Sequence, residues 1–247
     1  MTAGAVRPTT RATRAAASLA YKAWCETRVR LAVAVVALGA ACGLVVAQGD
    51  WRLGHPMPFA RYVWSAAYND SVKTAFIWLA VILGTGSLRQ EHAVGTAGFT
   101  LALPVTRGQL LAVRAGVGLA EVAALAVLAA VMISGVSWAT GGGALIGLSL
   151  RFVVAWAVCG GLLASIGLLA SIAIANEYVG WLVTILAIMA YQVTVALTPL
   201  RRIPACDLFQ IMAMPSAGLP ITALLGVAAA TAGVLAIGHR WLRARER

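Results

Sequence analysis

Apolar residues along this chain come in long unbroken runs separated by short polar or Arg-bearing segments. Six runs stand out, at 31–47, 71–88, 115–138, 152–174, 181–197 and 221–237. A helix needs about 20 apolar residues to cross the roughly 30 Å hydrocarbon core of a bilayer, and each run approaches or meets that length. The pattern predicts an all-α membrane protein with six transmembrane helices.

The segments between the runs predict further elements. In 18–30, Leu19, Ala20, Ala23, Trp24 and Thr27 share one helical face, while Lys22, Glu26, Arg28 and Arg30 lie mostly elsewhere. That is the pattern of an N-terminal interfacial helix with an aromatic at headgroup level. Residues 1–17, rich in Ala, Thr and Arg, read as a disordered basic tail. The expected organisation is therefore a cytosolic tail and interfacial helix over 1–30, followed by one six-span domain over 31–247. The stretch 198–219 is apolar but broken by Pro199, Pro204 and Pro215. Its run 208–214 is too short to span, which predicts a re-entrant-like hairpin before the sixth span.

Composition supports lipid as the solvent. The 247 residues are 61% hydrophobic and 11% charged, against about 25% charged in a soluble domain. Mean hydropathy is +0.89. The net charge of +11 would suit nucleic acid in a soluble protein. Here the basic residues flank the spans with no aromatic interleaving, so nucleic acid is excluded as a partner and the positive-inside rule explains the charge. With the N-terminus inside, thirteen of the nineteen Lys and Arg residues fall on the inner side and six on the outer. Both termini are expected in the cytoplasm, as an even number of spans requires. No cleavable signal peptide is expected, because the first apolar run starts late behind an Arg-rich segment. The Arg-, Ala- and Gly-rich composition suits the cytoplasmic (inner) membrane of a GC-rich bacterium.

Candidate chemistry is sparse. The four cysteines form no C-x-x-C pair, and His55, His92 and His239 are dispersed, so no metal site is expected. No nucleophile lies beside a recognisable base, and no G-x-x-x-x-G-K-[ST] phosphate cradle is present, so the chain is not expected to be an enzyme by itself. Glu121 is the only acid well inside a predicted span. It lines a transport route or gate, or else makes a structural hydrogen bond or ion pair. Asn176-Glu177 reads as a solvated turn. The small-residue runs 160–167 and 228–233 read as close helix–helix contacts or, in part, as the lining of a dimer seam, and Gly84-Thr85-Gly86 as helix packing or a flexible inner end.

The loop after the second run is the inner segment that looks built for a partner. Glu91 can occupy the first turn of a short cytosolic helix, where the helix dipole favours an acid. Pro104 then interrupts the apolar stretch 99–103, and Thr106 can cap a helix beginning at Arg107. The result is an amphipathic helical hairpin against the membrane.

An acid shortly before Gly-Thr, an apolar stretch, then Leu-Pro-Val-Thr-Arg and Leu-Leu resembles the motif of ABC type-2 transporter permeases. Here those residues are Glu91, Gly95, Thr96, Leu101, Leu103, Pro104, Val105, Thr106, Arg107, Leu110 and Leu111. The layout is also similar, with the segment 21–30 in the place of that family's elbow helix. The resemblance implies a cell-membrane exporter subunit that dimerises with a second copy or a related permease. A separate ATP-binding subunit, which holds ATP and Mg, would contact the 89–111 loop as a coupling helix. Glu91, Gly95, Thr96, Pro104 and Arg107 would carry coupling, with Glu26 and Arg30 in support, and Glu121 could line the translocation route. The rival from another class is a non-transporting membrane scaffold, or a mechanical transmitter to extracytoplasmic machinery.

Overall fold

The computed structural model describes residues 8–48, 64–68, 70–85, 106–139, 146–174, 176–203, 207–213 and 218–244. Its long elements are all helices: α1 (Pro8–Gln48), α2 (Ser71–Gly84), α3 (Arg107–Ala139), α4 (Ile146–Ala173), α5 (Glu177–Leu197), the short α6 (Leu208–Ala213) and α7 (Ile221–Ala244). A π-helical turn, Trp64–Tyr68, precedes α2, and a 3-10 turn, Pro199–Arg202, follows α5. Among the described residues, five helices are long and apolar enough to cross a membrane, with apolar spans at Ala17–Val45, Gly108–Trp138, Ile146–Ala173, Tyr178–Leu197 and Ile221–Ala244. The expected second span is shorter. α2 is 14 residues long, about 21 Å at 1.5 Å per residue.

The first element differs from the expectation. No break separates an interfacial helix from a first span at residue 30, and helix also extends back into the expected disordered tail, to Pro8. The reason lies in one helical face. Leu19, Ala23, Ala34, Leu38, Cys42 and Val45 are all buried, and Thr27 and Arg30 occupy the intervening positions of the same face, at the i, i+3, i+4 spacing of a single helix. Trp24, expected on that face, turns outward with Tyr21. Pro8 suits a first helical position because its missing N–H has no helical partner there anyway.

α4 lies at the centre, packing on α3, α2, α7, α5 and α6, while α1 packs on α3 and α2. Small residues permit the closest approaches. A Cβ built on Gly84 would lie 2.1 Å from the Ala164 carbonyl oxygen, and one on Gly167 would lie 2.9 Å from the Val81 oxygen. Gly160 sits under Phe76 and Val122, and Gly161 against Leu119. The run 160–167 and Gly84 are therefore helix contacts, as the sequence suggests. In the run 228–233, Ala228, Ala229, Ala230, Ala232 and Gly233 are exposed, so on α7 these small residues make no close contact among the described residues of the chain and face outward, the side a dimer seam would use.

At one end of the bundle an aromatic cluster fills the core. Tyr68 stacks on Phe152 with centroids 3.7 Å apart, and Trp156 meets Tyr68 edge-on and Phe76 at 4.9 Å. The Tyr68 hydroxyl donates to Ser149 Oγ at 3.1 Å, and Ser134 Oγ donates to the same atom at 2.8 Å. The expected hairpin before the last span contains α6, which is held by Trp156 Nε1 donating to the Met212 carbonyl at 3.1 Å, with Ile211 and Met212 fully buried. Lys73, also buried, lies 5.7 Å from the Phe209 ring. These contacts tie α6 into the core.

Gly84→Val should destabilise the fold beyond the roughly 1–3 kcal/mol usual for overpacking, because the obstruction is backbone. Loss of the monodisperse detergent-solubilised species reads this out. Gly43→Ala, whose added Cβ meets nothing within 4 Å, serves as the control and should leave the melting temperature unchanged. Trp156→Phe should cost about 1 kcal/mol through the unsatisfied Met212 carbonyl, read as a fall in melting temperature.

Candidate functional site

Polar side chains gather at the other end, where α1, α2 and α3 meet. α3 has 33 residues, about 50 Å in length, longer than the roughly 30 Å of a hydrocarbon core. Its start is fixed by reciprocal capping: Thr106 N donates to Gln109 Oε1 at 3.1 Å, and Gln109 N donates to Thr106 Oγ1 at 3.3 Å. Two helix-end donors are thereby satisfied by side chains. Thr106 is the cap that the sequence predicts.

Two contacts join α3 to α1. Arg114 donates to Glu26 at 3.2 Å, and Glu26 also lies 3.7 Å from Lys22 one turn back. Further along, the Thr27 hydroxyl and Glu121 Oε1 are hydrogen-bonded. Glu121 is 2% exposed, and its second carboxyl oxygen has no hydrogen-bond partner among the described residues. A third contact joins α1 to α2: Arg30 Nη1 donates to the Thr85 carbonyl at 3.3 Å. Thr85 follows the last residue of α2, so its carbonyl is one of those a helix end leaves without an intrahelical donor.

The last turns of α7 close the same end. His239 packs on Gly108 so tightly that a Cβ there would lie 2.4 Å from His239 Cε1. Leu111, Ala115, Leu168 and Ile172 form a small core beneath, flanked by Leu235 and Leu242. Since α7 ends where α3 begins, the C-terminal end of the chain shares a face with the N-terminal half of α1. Exposed Tyr21, Trp24, Tyr178 and Trp241 surround this end, the position of an interfacial aromatic belt.

The sequence-derived candidates fare unequally. Glu91, Gly95, Thr96 and Pro104 lie outside the described residues, as do Gly86 and Cys206. Arg107 opens α3, with its side chain outside the described set. Glu121 is brought to the α1–α3 contact. Glu26 and Arg30, read as pointing mostly away, instead face α3 and α2. The signal for them was present: positions 23, 26, 27, 30 and 34 make one helical stripe, so a polar group there must find a partner on a neighbouring helix. Asn176 behaves as the turn expected of it, its Oδ1 accepting from Tyr178 N at 2.9 Å at the start of α5. Among the described residues no group of three or more His, Cys, Asp or Glu could hold a metal ion.

No family model, curated protein or solved structure matches this chain. What the fold establishes is a helical protein of multi-pass membrane type with a polar seam at one end of the first and third helices.

The Glu26–Arg114 pair should be weak in isolation. Glu26 is 41% exposed while Arg114 is 10% exposed, so a double-mutant cycle with Glu26→Gln and Arg114→Gln should return a coupling of about 0.2–1 kcal/mol, falling as salt is raised.

Proposed function

We propose that this chain is the membrane subunit of an ATP-driven exporter, worked by a separate ATP-binding subunit that contacts the 89–111 segment from the cytoplasm. In this reading the active unit is a pair of permeases, two copies or one with a relative, in a bacterial inner membrane with both termini inside. The observation that carries it is the seam just described. A push on the 89–105 segment reaches α3 through its capped first turn at Thr106. α3 in turn is joined to α1 by Arg114–Glu26 and Glu121–Thr27, and α1 to α2 by Arg30–Thr85. Force applied at one loop would thus move three helices together.

The sequence supports the same reading. The segment from Glu91 to Leu111 carries the acid, Gly-Thr, Pro and Arg pattern of the permease resemblance. It lies on the side that the Lys and Arg distribution assigns to the cytoplasm. The chain has no phosphate cradle of its own, so the motor is another polypeptide. Capped helix ends and short polar contacts are suited to transmitting displacement, because packed interfaces shift between discrete arrangements rather than deform continuously.

The test is co-purification of the detergent-solubilised chain with an ATP-binding protein encoded beside it, followed by an ATPase assay. Glu91→Ala should lower ATPase activity and transport several-fold while leaving membrane insertion normal. A chain that purifies alone, or a complex indifferent to changes in 91–107, would reject the permease reading in favour of a scaffold.

A further inference from the structure

Glu121 faces a problem of proton supply. Its carboxyl is 2% exposed, and the hydroxyl of Thr27 is its one hydrogen-bond partner among the described residues. A threonine hydroxyl carries a single proton, and that of Thr27 also lies 3.1 Å from the Ala23 carbonyl, the usual back-bond of a helical threonine. If Glu121 were a carboxylate, both its oxygens would need donors. One proton would be shared with a competing carbonyl, and the second oxygen would hold buried charge with no donor among the described residues. Burying an ionised carboxyl without full hydrogen bonding is the costliest arrangement available to it. If Glu121 is a carboxylic acid, the count closes. Its O–H donates to Thr27 Oγ1, Thr27 donates to the Ala23 oxygen, and only a neutral carbonyl oxygen is left without a partner.

We propose that Glu121 is a proton-binding site inside the membrane, and that its bound proton forms the hydrogen bond linking α1 to α3. The surrounding charges fit. From α1, Arg30 is the cation nearest in effect to Glu121, and it is engaged with the Thr85 carbonyl, while Glu26 is matched to Arg114 of α3 and to Lys22. α2 offers Thr85 and no charge at this end. The charge of α4, Arg151, lies toward the start of that helix, away from the seam. α7 contributes His239, at Gly108 on the first turn of α3, with Arg240 and Arg243 beyond it. Arg30 attracts the carboxylate form from α1, but among the described residues no cation hydrogen-bonds or ion-pairs with Glu121. The proton would leave when α1 and α3 part and water reaches the carboxyl, which makes the site sensitive to helix separation whatever drives it. This holds whether or not a motor subunit acts on the 89–111 segment.

Infrared spectroscopy of the full-length chain in lipid, labelled with carboxyl-¹³C glutamate, tests the proposal. At neutral pH the wild type should show a protonated-acid carbonyl band that is absent in Glu121→Gln. In Thr27→Val the band should persist at a shifted position, because the O–H has lost its acceptor. A wild-type spectrum at neutral pH with glutamate absorbing only as carboxylate would overturn the proposal. Should the Gln variant fail to fold, treatment of the wild type with a lipid-soluble carbodiimide, which adds to protonated carboxyls, decides the matter. A stable adduct mapped to Glu121 supports the site, and adducts confined to other acids refute it.

Discussion

The backbone-to-backbone approach of α2 to α4 is the constraint on which the other contacts depend. Gly84 meets Ala164 where even a methyl group would overlap the carbonyl oxygen, and Gly167 answers with a near contact to Val81. In a bilayer the hydrophobic effect gives helices no reason to prefer each other over lipid. Close packing of small residues, which maximises dispersion contact, is what holds them together. This approach fixes the depth of α2, and with it the position of Thr85. The carbonyl at Thr85 then lies within reach of Arg30 on α1. An arginine that would be costly at this depth is thereby matched to an acceptor that the end of α2 leaves over.

The two ends of the bundle solve the polar problem differently. At the Tyr68 end most partners are neutral: a tyrosine and two serines share protons and an indole N–H meets a carbonyl, while Lys73, a buried charge, lies by an aromatic ring and is attracted by Asp207 and Asp70. At the Glu26 end ionisable groups on α1 and α3 bond to each other, to a hydroxyl and to the Thr85 carbonyl of α2. Elsewhere hydroxyls are mostly satisfied within their own helix, as Ser165, Ser171 and Thr184 are by carbonyls one turn back. Thr27 breaks that pattern by bonding within its helix and across to α3 as well. Contacts confined to one helix say nothing about its neighbours, whereas a contact spanning two helices is lost when they separate. The seam of α1 and α3 is therefore the part of the bundle whose polar energetics change with helix arrangement.

Much of this was legible in the sequence. Run length located α3, α4, α5 and α7, with ends displaced by up to eight residues, because burial in lipid leaves a strong compositional mark. Thr106 was readable as a cap, and the glycines of 160–167 as contacts. The break at residue 30 was misread because charge was taken as the sign of a helix on the membrane surface. A stripe that runs from Leu19 to Val45 without a phase shift describes one helix, with Arg30 tolerated by a partner no single stretch of sequence contains. The run 228–233 finds no such neighbour among the described residues of the chain. Small residues permit close approach but do not specify which neighbour uses it. Glu121 was singled out correctly as an oddity, while its partner, Thr27, lies 94 positions away, beyond any local pattern.

The shortness of α2 follows from its place. Nine of its residues are buried, from Val72 to Gly84, whereas α1, α5 and α7 expose Val33, Val36, Leu182, Leu186, Leu225 and Ile237. A helix facing lipid must cover the full hydrocarbon thickness, since any backbone group left open there lacks a partner. A helix surrounded by protein is released from that demand, because neighbouring side chains can satisfy its ends. Thr85 illustrates this: its amide bonds back to Val81 and its carbonyl takes the Arg30 guanidinium. The interior position of α2 thus makes room for the polar contact at its end with Arg30, which lies on the same face of α1 as Thr27, the partner of Glu121 on α3.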